Sequence, residues 1–274
     1  MRELLIYTCC NVPYHHFAAI YPLFSLISNP RASLEIGIVD FMEFKERYLP
    51  FILFYNRHFK EQVLYEECTP NNKHHPHTLR FLRKPTSEAK YIYIGDVDII
   101  ILEENICEIH KKYIKKHKLE YSNILRDNSN FPRLSGLHFI EYSKMYPLPK
   151  NTIGEADYCN DEHYLYLLMQ SKGYTAPEKE FKLRPVHGIH CSMNRPPIKS
   201  TPFSNHSFRY FHWGISYKYA KLFRKHSKNP VYREFLKIID PKKHLQLAIL
   251  IQNLELALYF ELKRRNKLSR LIKP

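Results

Sequence analysis

Two carboxylates stand inside an otherwise apolar run. The stretch "YIYIGDVDIIIL", residues 91 to 102, sets Asp96 and Asp98 among tyrosines and isoleucines, with Gly95 just before them. Residues two apart in a strand point to the same side, so these two carboxylates converge on one point where the strand ends. Buried without a counter-charge, each would be costly, and a bound cation removes that cost. An arginine or backbone amides would remove it too. Binding sites in open α/β sheets lie at the carboxyl ends of the strands, and this pair follows a strand's length of residues.

The elements around the pair must bring partners to it. "ELLIYTCC" (3–10), "SLEIGIVD" (33–40) and "EQVLYEEC" (61–68) read as strands, rich in β-branched and aromatic residues. Between them, "YHHFAAIYPLFSLIS" (14–28) and "FMEFKERYLPFILFYNRHF" (41–59) have helical spacing. Pro22 is an irregularity in the first helix, and Pro50 predicts a break in the second. A polar loop (69–78) and a short helix near "LRFLRK" lead into the run at 91–102, the fourth strand. Strands alternating with helices predict an α/β domain with a largely parallel sheet. Beyond it, 104–118 reads as an amphipathic helix, 133–146 as a strand and turn, and "DEHYLYLLMQSKG" (161–173) as a helix stopped by Gly173. "FKLRPVHGIHCSMN" and "FRYFHWG" read as strands ending in polar groups. No internal repeat or low-complexity linker interrupts the chain, so one compact domain is expected.

Bulk composition narrows the class. Of the 274 residues, 44% are hydrophobic and 25% charged, which supports a real core and excludes a disordered chain. The formal charge of +15 favours an anionic partner: nucleic acid, an acidic membrane surface or a phosphorylated substrate. The six cysteines form no CxxC pair and fit neither a zinc ribbon nor a disulfide scaffold, so reduced thiols are expected. The N-terminal apolar run is too short for a signal peptide, and no segment reads as a membrane span.

Four motifs, in order, carry a family resemblance. "HTLRFLRKPTSEAKYIYIGDVDIII" resembles a segment of metal-dependent nucleotide-sugar glycosyltransferases with the GT-A fold. There, an Arg-bearing helix and a proline precede an aromatic-rich strand that ends in Asp-x-Asp. "RLSGLHFI" resembles the family-8 element with a small residue and a glycine before an apolar strand. "NDEHYLYLLMQ" is similar to the acidic helix start of family 8, the glycogenin and lipopolysaccharide galactosyltransferase group. It resembles that of family 6, the blood-group transferases, still more closely. "FHWGISYK" resembles the family-8 His-x-x-Gly motif, with His212 and Gly214 one residue closer together.

The resemblance implies a GT-A, Rossmann-like fold: a mixed, mainly parallel sheet flanked by helices over residues 1–240. It implies Mn²⁺ or Mg²⁺ held by Asp96, Asp98 and a later histidine, His212, with His190 of "VHGIH" as the alternative. A UDP-sugar donor would meet Thr8, Tyr14, Arg80, Asp96, Val97 and Gly136. Arg80 suits phosphate oxygens, or it is a surface arginine beside Arg83 and Lys84. Tyr14 stacks on the base, or it belongs to the core. Gly136 admits a sugar to the backbone, or it marks a bulge. Acids at a helix start are favoured by the helix dipole alone. In the resembling families they face the donor sugar. Glu162 would then stabilise or attack the sugar cation, and Asp161 would bind sugar hydroxyls, with retention of configuration. The acceptor would be a bacterial lipopolysaccharide or capsule glycan, at the inner face of the cytoplasmic membrane.

The tail, 241–274, begins apolar and ends with Lys263, Arg264, Arg265, Lys267, Arg270 and Lys273, with no acid after Glu261. It reads as a packing helix with a solvated basic end or as an anchor on anionic lipid. Rival classes are a nucleic-acid-binding protein or two-metal nuclease, suggested by the charge, and a non-catalytic membrane adaptor. The basic excess is spread rather than striped with aromatics, which disfavours nucleic acid. A haloacid-dehalogenase phosphatase also uses Asp-x-Asp, but its motif follows the first strand, not the fourth.

Overall fold

A computed structural model describes residues 2–69, 78–126, 132–149, 160–178, 187–191 and 215–271, with side chains to 264. The first half follows the sequence pattern closely. Strands β1 (Arg2–Cys10), β2 (Ser33–Ile38), β3 (Val63–Glu67) and β4 (Ala89–Ile94) alternate with helices α1 (His15–Ser28), α2 (Phe41–Phe59) and α3 (Leu79–Leu82). The main sheet has the order β3-β2-β1-β4-β9-β6, where β6 is Tyr121–Ser122 and β9 is His138–Glu141. Pairs among the first four strands are parallel, and β9 runs antiparallel to β4 and β6. This is the mixed, mainly parallel α/β sheet expected, consistent with a GT-A-like Rossmann fold.

Residue alternation divides the core between the two faces of the sheet. Leu4, Ile6 and Cys10 of β1 join one buried cluster with α1 and α2, while Leu5, Tyr7 and Cys9 join another. The second contains Tyr164, Leu165 and Leu168 of α6 (Asp161–Ser171). A strand covered on both faces reads as a continuous apolar run, which is why β1 shows so little polar alternation.

The order matters for function. From β1 the chain moves to β2 and β3 on one side, while β4 lies on the other, in register with β1 from Leu4↔Tyr91 to Tyr7↔Ile94. The carboxyl ends of β1 and β4 therefore flank a point where strand order reverses, the place where open α/β sheets leave a binding crevice.

The run 91–102 breaks at Gly95–Asp98, where the paired aspartates mark the end of the strand, and β5 (Ile99–Ile101) leaves to pair antiparallel with β10 (Gly188–His190). The break expected at Pro50 is present as a kink within α2 at Tyr48, whose φ of −113° is non-helical, because the missing proline N–H frees one carbonyl in the preceding turn. One expectation needs correction: α9 (Leu245–Leu271) contains a stretch, Leu245–Arg264, long and apolar enough by length and composition to cross a bilayer. One face of it, Leu247, Leu250, Leu254 and Leu258, is buried in the α1-side core.

The remaining elements complete the layers. They are α4 (Ile106–His117), the two-residue ladder β7 (Leu125–Arg126) and β8 (Arg133–Leu134), α5 (Tyr142–Met145), α7 (Tyr217–His226) and α8 (Pro230–Lys237). The cysteines described, Cys9, Cys10, Cys68, Cys107 and Cys191, are free and buried.

Candidate metal centre

The turn after β4 is pinned by its glycine. A Cβ on Gly95 would lie 2.9 Å from the Tyr93 ring, so only glycine lets the chain fold over it. The Gly95 N–H donates to the Tyr7 carbonyl at 3.1 Å, and the Thr8 hydroxyl donates to the Gly95 carbonyl at 2.8 Å. Both backbone groups of Gly95 are thus tied to the end of β1. Val97 is buried and anchors the turn between the two aspartates.

A second strand brings the third ligand. The Cys191 N–H donates to the Asp98 carbonyl at 2.7 Å, and His190 pairs opposite Ile99. Gly188 makes the approach possible, since a Cβ there would stand 1.8 Å from the Ile100 carbonyl oxygen. His190 Nε2 then lies 3.2 Å from Asp98 Oδ2. Ligand atoms of Asp96, Asp98 and His190 all fall within 4.8 Å of one another. An octahedral ion with bonds of about 2.1 Å holds its ligand atoms about 3 to 4 Å apart, so small side-chain shifts suffice.

The arginine of α3 links this group to the acidic helix. Arg80 is buried at 4% exposure, with Nη1 2.5 Å from Asp96 Oδ1 and Nη2 2.9 Å from Asp161 Oδ2. Burial alone would lower its pKa, but Asp96 and Asp161 outweigh that and hold it above the ordinary value. Asp161 opens α6, where the Asn160 side chain accepts the His163 N–H at 2.8 Å as the N-cap. Next to it, Glu162 contacts Arg126, lies 3.5 Å from Arg133 Nη1 and accepts the Gly136 N–H at 3.3 Å. Arg126 and Arg133 are directly opposite on the β7–β8 ladder, a like-charge pairing that Glu162 makes tolerable. Gly136 has no room for a side chain: a Cβ would sit 2.6 Å from Arg80 Nη2.

Comparison with known proteins gives similar solved structures but no assignment. No known protein family and no curated protein matches the chain. It is similar to the glycosyltransferase GlyE of Streptococcus pneumoniae TIGR4, at 12% identity over 66% of this chain and 46% of that one, with a TM-score of 0.46. It is also similar to TarS 1–349 of S. aureus, at 11% identity over 62% and 55%, with a TM-score of 0.37. A third is the 4-diphosphocytidyl-2C-methyl-D-erythritol synthase of Anaerococcus prevotii DSM 20548, at 6% over 64% and 86%, with a TM-score of 0.40. The chain spans about half the length of the GlyE and TarS chains it matches. Likeness at this level assigns no activity, and the site stands on its own residues.

Those residues fit a divalent cation. Asp98 is buried at 6% exposure, and burial pushes its carboxyl up, while the His190 imidazole beside it pulls it back. A buried carboxylate of this kind calls for positive charge nearby, and two carboxylates with an imidazole are donors that suit Mn²⁺ or Mg²⁺. Of the residues singled out in the sequence, Asp96, Asp98, Val97, Arg80, Gly136, Asp161 and Glu162 come together here with His190. Thr8 lies fully buried at their edge, and Tyr14 is half-buried against Phe17. His212 lies outside the described residues. Arg126 and Arg133 were missed, although "LRDNSNFPRL" carries a turn signal between two short extended pieces.

Proposed function

We propose that the protein is a metal-dependent glycosyltransferase that moves a hexose or N-acetylhexosamine from a UDP-sugar to a glycan or glycolipid acceptor. One observation carries this reading: Asp96, Asp98 and His190 converge at the reversal of strand order, and Arg80 ties them to the acids that open α6. Mn²⁺ or Mg²⁺ bound there supplies Lewis acidity to the departing diphosphate. The protein's own groups do the rest. Gly136 lets the Arg80 guanidinium close on the backbone beside the donor site, and its N–H orients the Glu162 carboxylate. Glu162, held from behind by Arg126 and Arg133, faces positive charge as it develops on the sugar. Asp161 binds sugar hydroxyls through its second oxygen while Arg80 fixes the first. A carboxylate held rigidly on one side of the sugar supports retention of configuration. We place the enzyme in bacterial lipopolysaccharide or capsule synthesis. The basic end of α9 would meet anionic lipid at the inner face of the cytoplasmic membrane, which the +15 charge supports.

A panel of nucleotide sugars with Mn²⁺ tests the reading. A UDP-sugar is expected to raise the thermal midpoint and to be slowly hydrolysed, in both cases only with the metal. Asp98→Ala should abolish both responses. Absence of any donor response, with Asp98→Ala indistinguishable from wild type, sinks the proposal.

A further inference from the structure

On α1, near the metal-ligating group, stands a phenol with no partner among the described residues. Tyr21 of α1 is 1% exposed, and its hydroxyl makes no hydrogen bond within the described residues. The large majority of buried hydroxyls are bonded, so an orphan points to a partner outside the described residues, such as a bound ligand.

Its position follows from the packing of α1 on β5. Ser28 Oγ donates to the Ile101 carbonyl at 3.3 Å, and Asn29 Nδ2 donates to the Glu103 carbonyl at 3.1 Å. The two contacts advance together, so helix and strand run side by side in the same direction. Tyr21 lies two turns before Ser28 on the same helix face, about 10 Å back. Asp98 lies three strand residues before Ile101, also about 10 Å back. The phenol therefore stands level with Asp98. The charges acting on it agree. After burial and the neighbouring Tyr93 phenol, the groups that bear on Tyr21 are Asp96, Arg80 and Asp98.

We infer that Tyr21 is a positioning residue of the metal centre: its O–H donates to an oxygen carried by the cation that Asp96, Asp98 and His190 hold. That oxygen belongs to a bound water or to the donor diphosphate. The inference rests on the metal reading of the site. Partners of this kind orient the groups around an ion, and losing one typically weakens metal binding about tenfold or more.

The test is Tyr21→Phe, which removes one oxygen atom, with Mn²⁺ binding followed by calorimetry and by paramagnetic resonance, alone and with UDP. Weakening of about tenfold for Mn²⁺ alone identifies the water as the partner. Weakening only in the presence of UDP identifies the diphosphate. Unchanged binding in both arms, while Asp98→Asn abolishes it, overturns the role of Tyr21 and leaves the metal site standing. A wild-type protein that binds no Mn²⁺ overturns both. The metal-free thermal midpoint is a second readout: Tyr21→Phe should match or exceed wild type. A fall of several degrees would show that the protein itself holds the hydroxyl, and would end the proposal.

Discussion

Gly136 shows how finely the residues of this site are spaced. The Arg80 atom that a Cβ would strike, Nη2, is the same atom that bonds Asp161. Gly136→Ala must therefore push the guanidinium off Asp161 or shift the strand behind it, a packing strain of about 1–3 kcal/mol. The expected result is a fall of that size in urea stability, together with at least a tenfold loss of Mn²⁺-dependent UDP-sugar affinity. Wild-type values for both would mean that Arg80 does not need its place. At this scale the sequence was partly legible. The spacing of Asp96 and Asp98 announces a shared target, and "VHGIH" offered His190 as one of two histidines. The bridge from Arg80 to Asp161 joins residues 81 positions apart, and no local pattern encodes it. Tyr21 was still less visible, since one apolar-flanked tyrosine among 21 looks like core.

One short strand decides whether His190 reaches the aspartates, and a buried chain of hydrogen bonds holds that strand. His187, just before β10, has a left-handed φ of 57° and is fully buried. Its carbonyl accepts the N–H groups of Leu102 and Glu103, each at 2.9 Å. Its Nδ1 lies 2.8 Å from Glu103 Oε2, its Nε2 lies 2.7 Å from His110 Nε2, and His110 Nδ1 lies 2.8 Å from Ser122 Oγ. Only one arrangement of protons serves all three contacts with neutral rings: Ser122 donates to His110, His110 to His187, and His187 to the Glu103 carboxylate. Lys218 of α7 contacts the other carboxylate oxygen. The His187 hydrogen bond, against the cost of burial and with help from Lys218, lowers the Glu103 pKa to about 2. A carboxylate depressed from 4.5 contributes about 3 kcal/mol above the unfolded value and loses it as pH falls from about 4.5 toward 2. Glu103→Gln should therefore be less stable than wild type at pH 6, with the gap narrowing by about 1 kcal/mol by pH 3.5 in urea titrations. A gap constant over that range would show that the carboxylate charge does not hold the chain. A strand in "FKLRPVHGIHCSMN" was legible, but its pairing and this buried chain of hydrogen bonds were not. An antiparallel partner far away in sequence leaves no local trace. The strands and helices of the first hundred residues were legible because each carries its own apolar period.

The whole molecule is strongly basic, and α9 is where that charge meets exposed apolar surface. Its inward face stays in the core as far as Glu261, while Leu256, Tyr259 and Phe260 are about half exposed on the outer side. Beyond Glu261, which engages Arg264 at 2.9 Å, the sequence adds six basic residues and no acid. A helix buried along one face cannot cross a bilayer without leaving the core, which would expose Leu247, Leu250, Leu254 and Leu258. Lying on a membrane requires no such rearrangement. Each basic residue near an anionic surface contributes about 1 kcal/mol, screened within about 10 Å at moderate salt. Deleting residues 263–274 removes that contribution but leaves the buried contacts of Leu247, Leu250, Leu254 and Leu258 in place. The truncated protein should keep its thermal midpoint and its Mn²⁺ binding. It should bind phosphatidylserine vesicles at least tenfold more weakly at low salt, and the difference should vanish at high salt or on neutral vesicles. Equal vesicle binding by the two proteins at low salt would confine the tail to packing, and the excess charge would then have to serve the substrate instead.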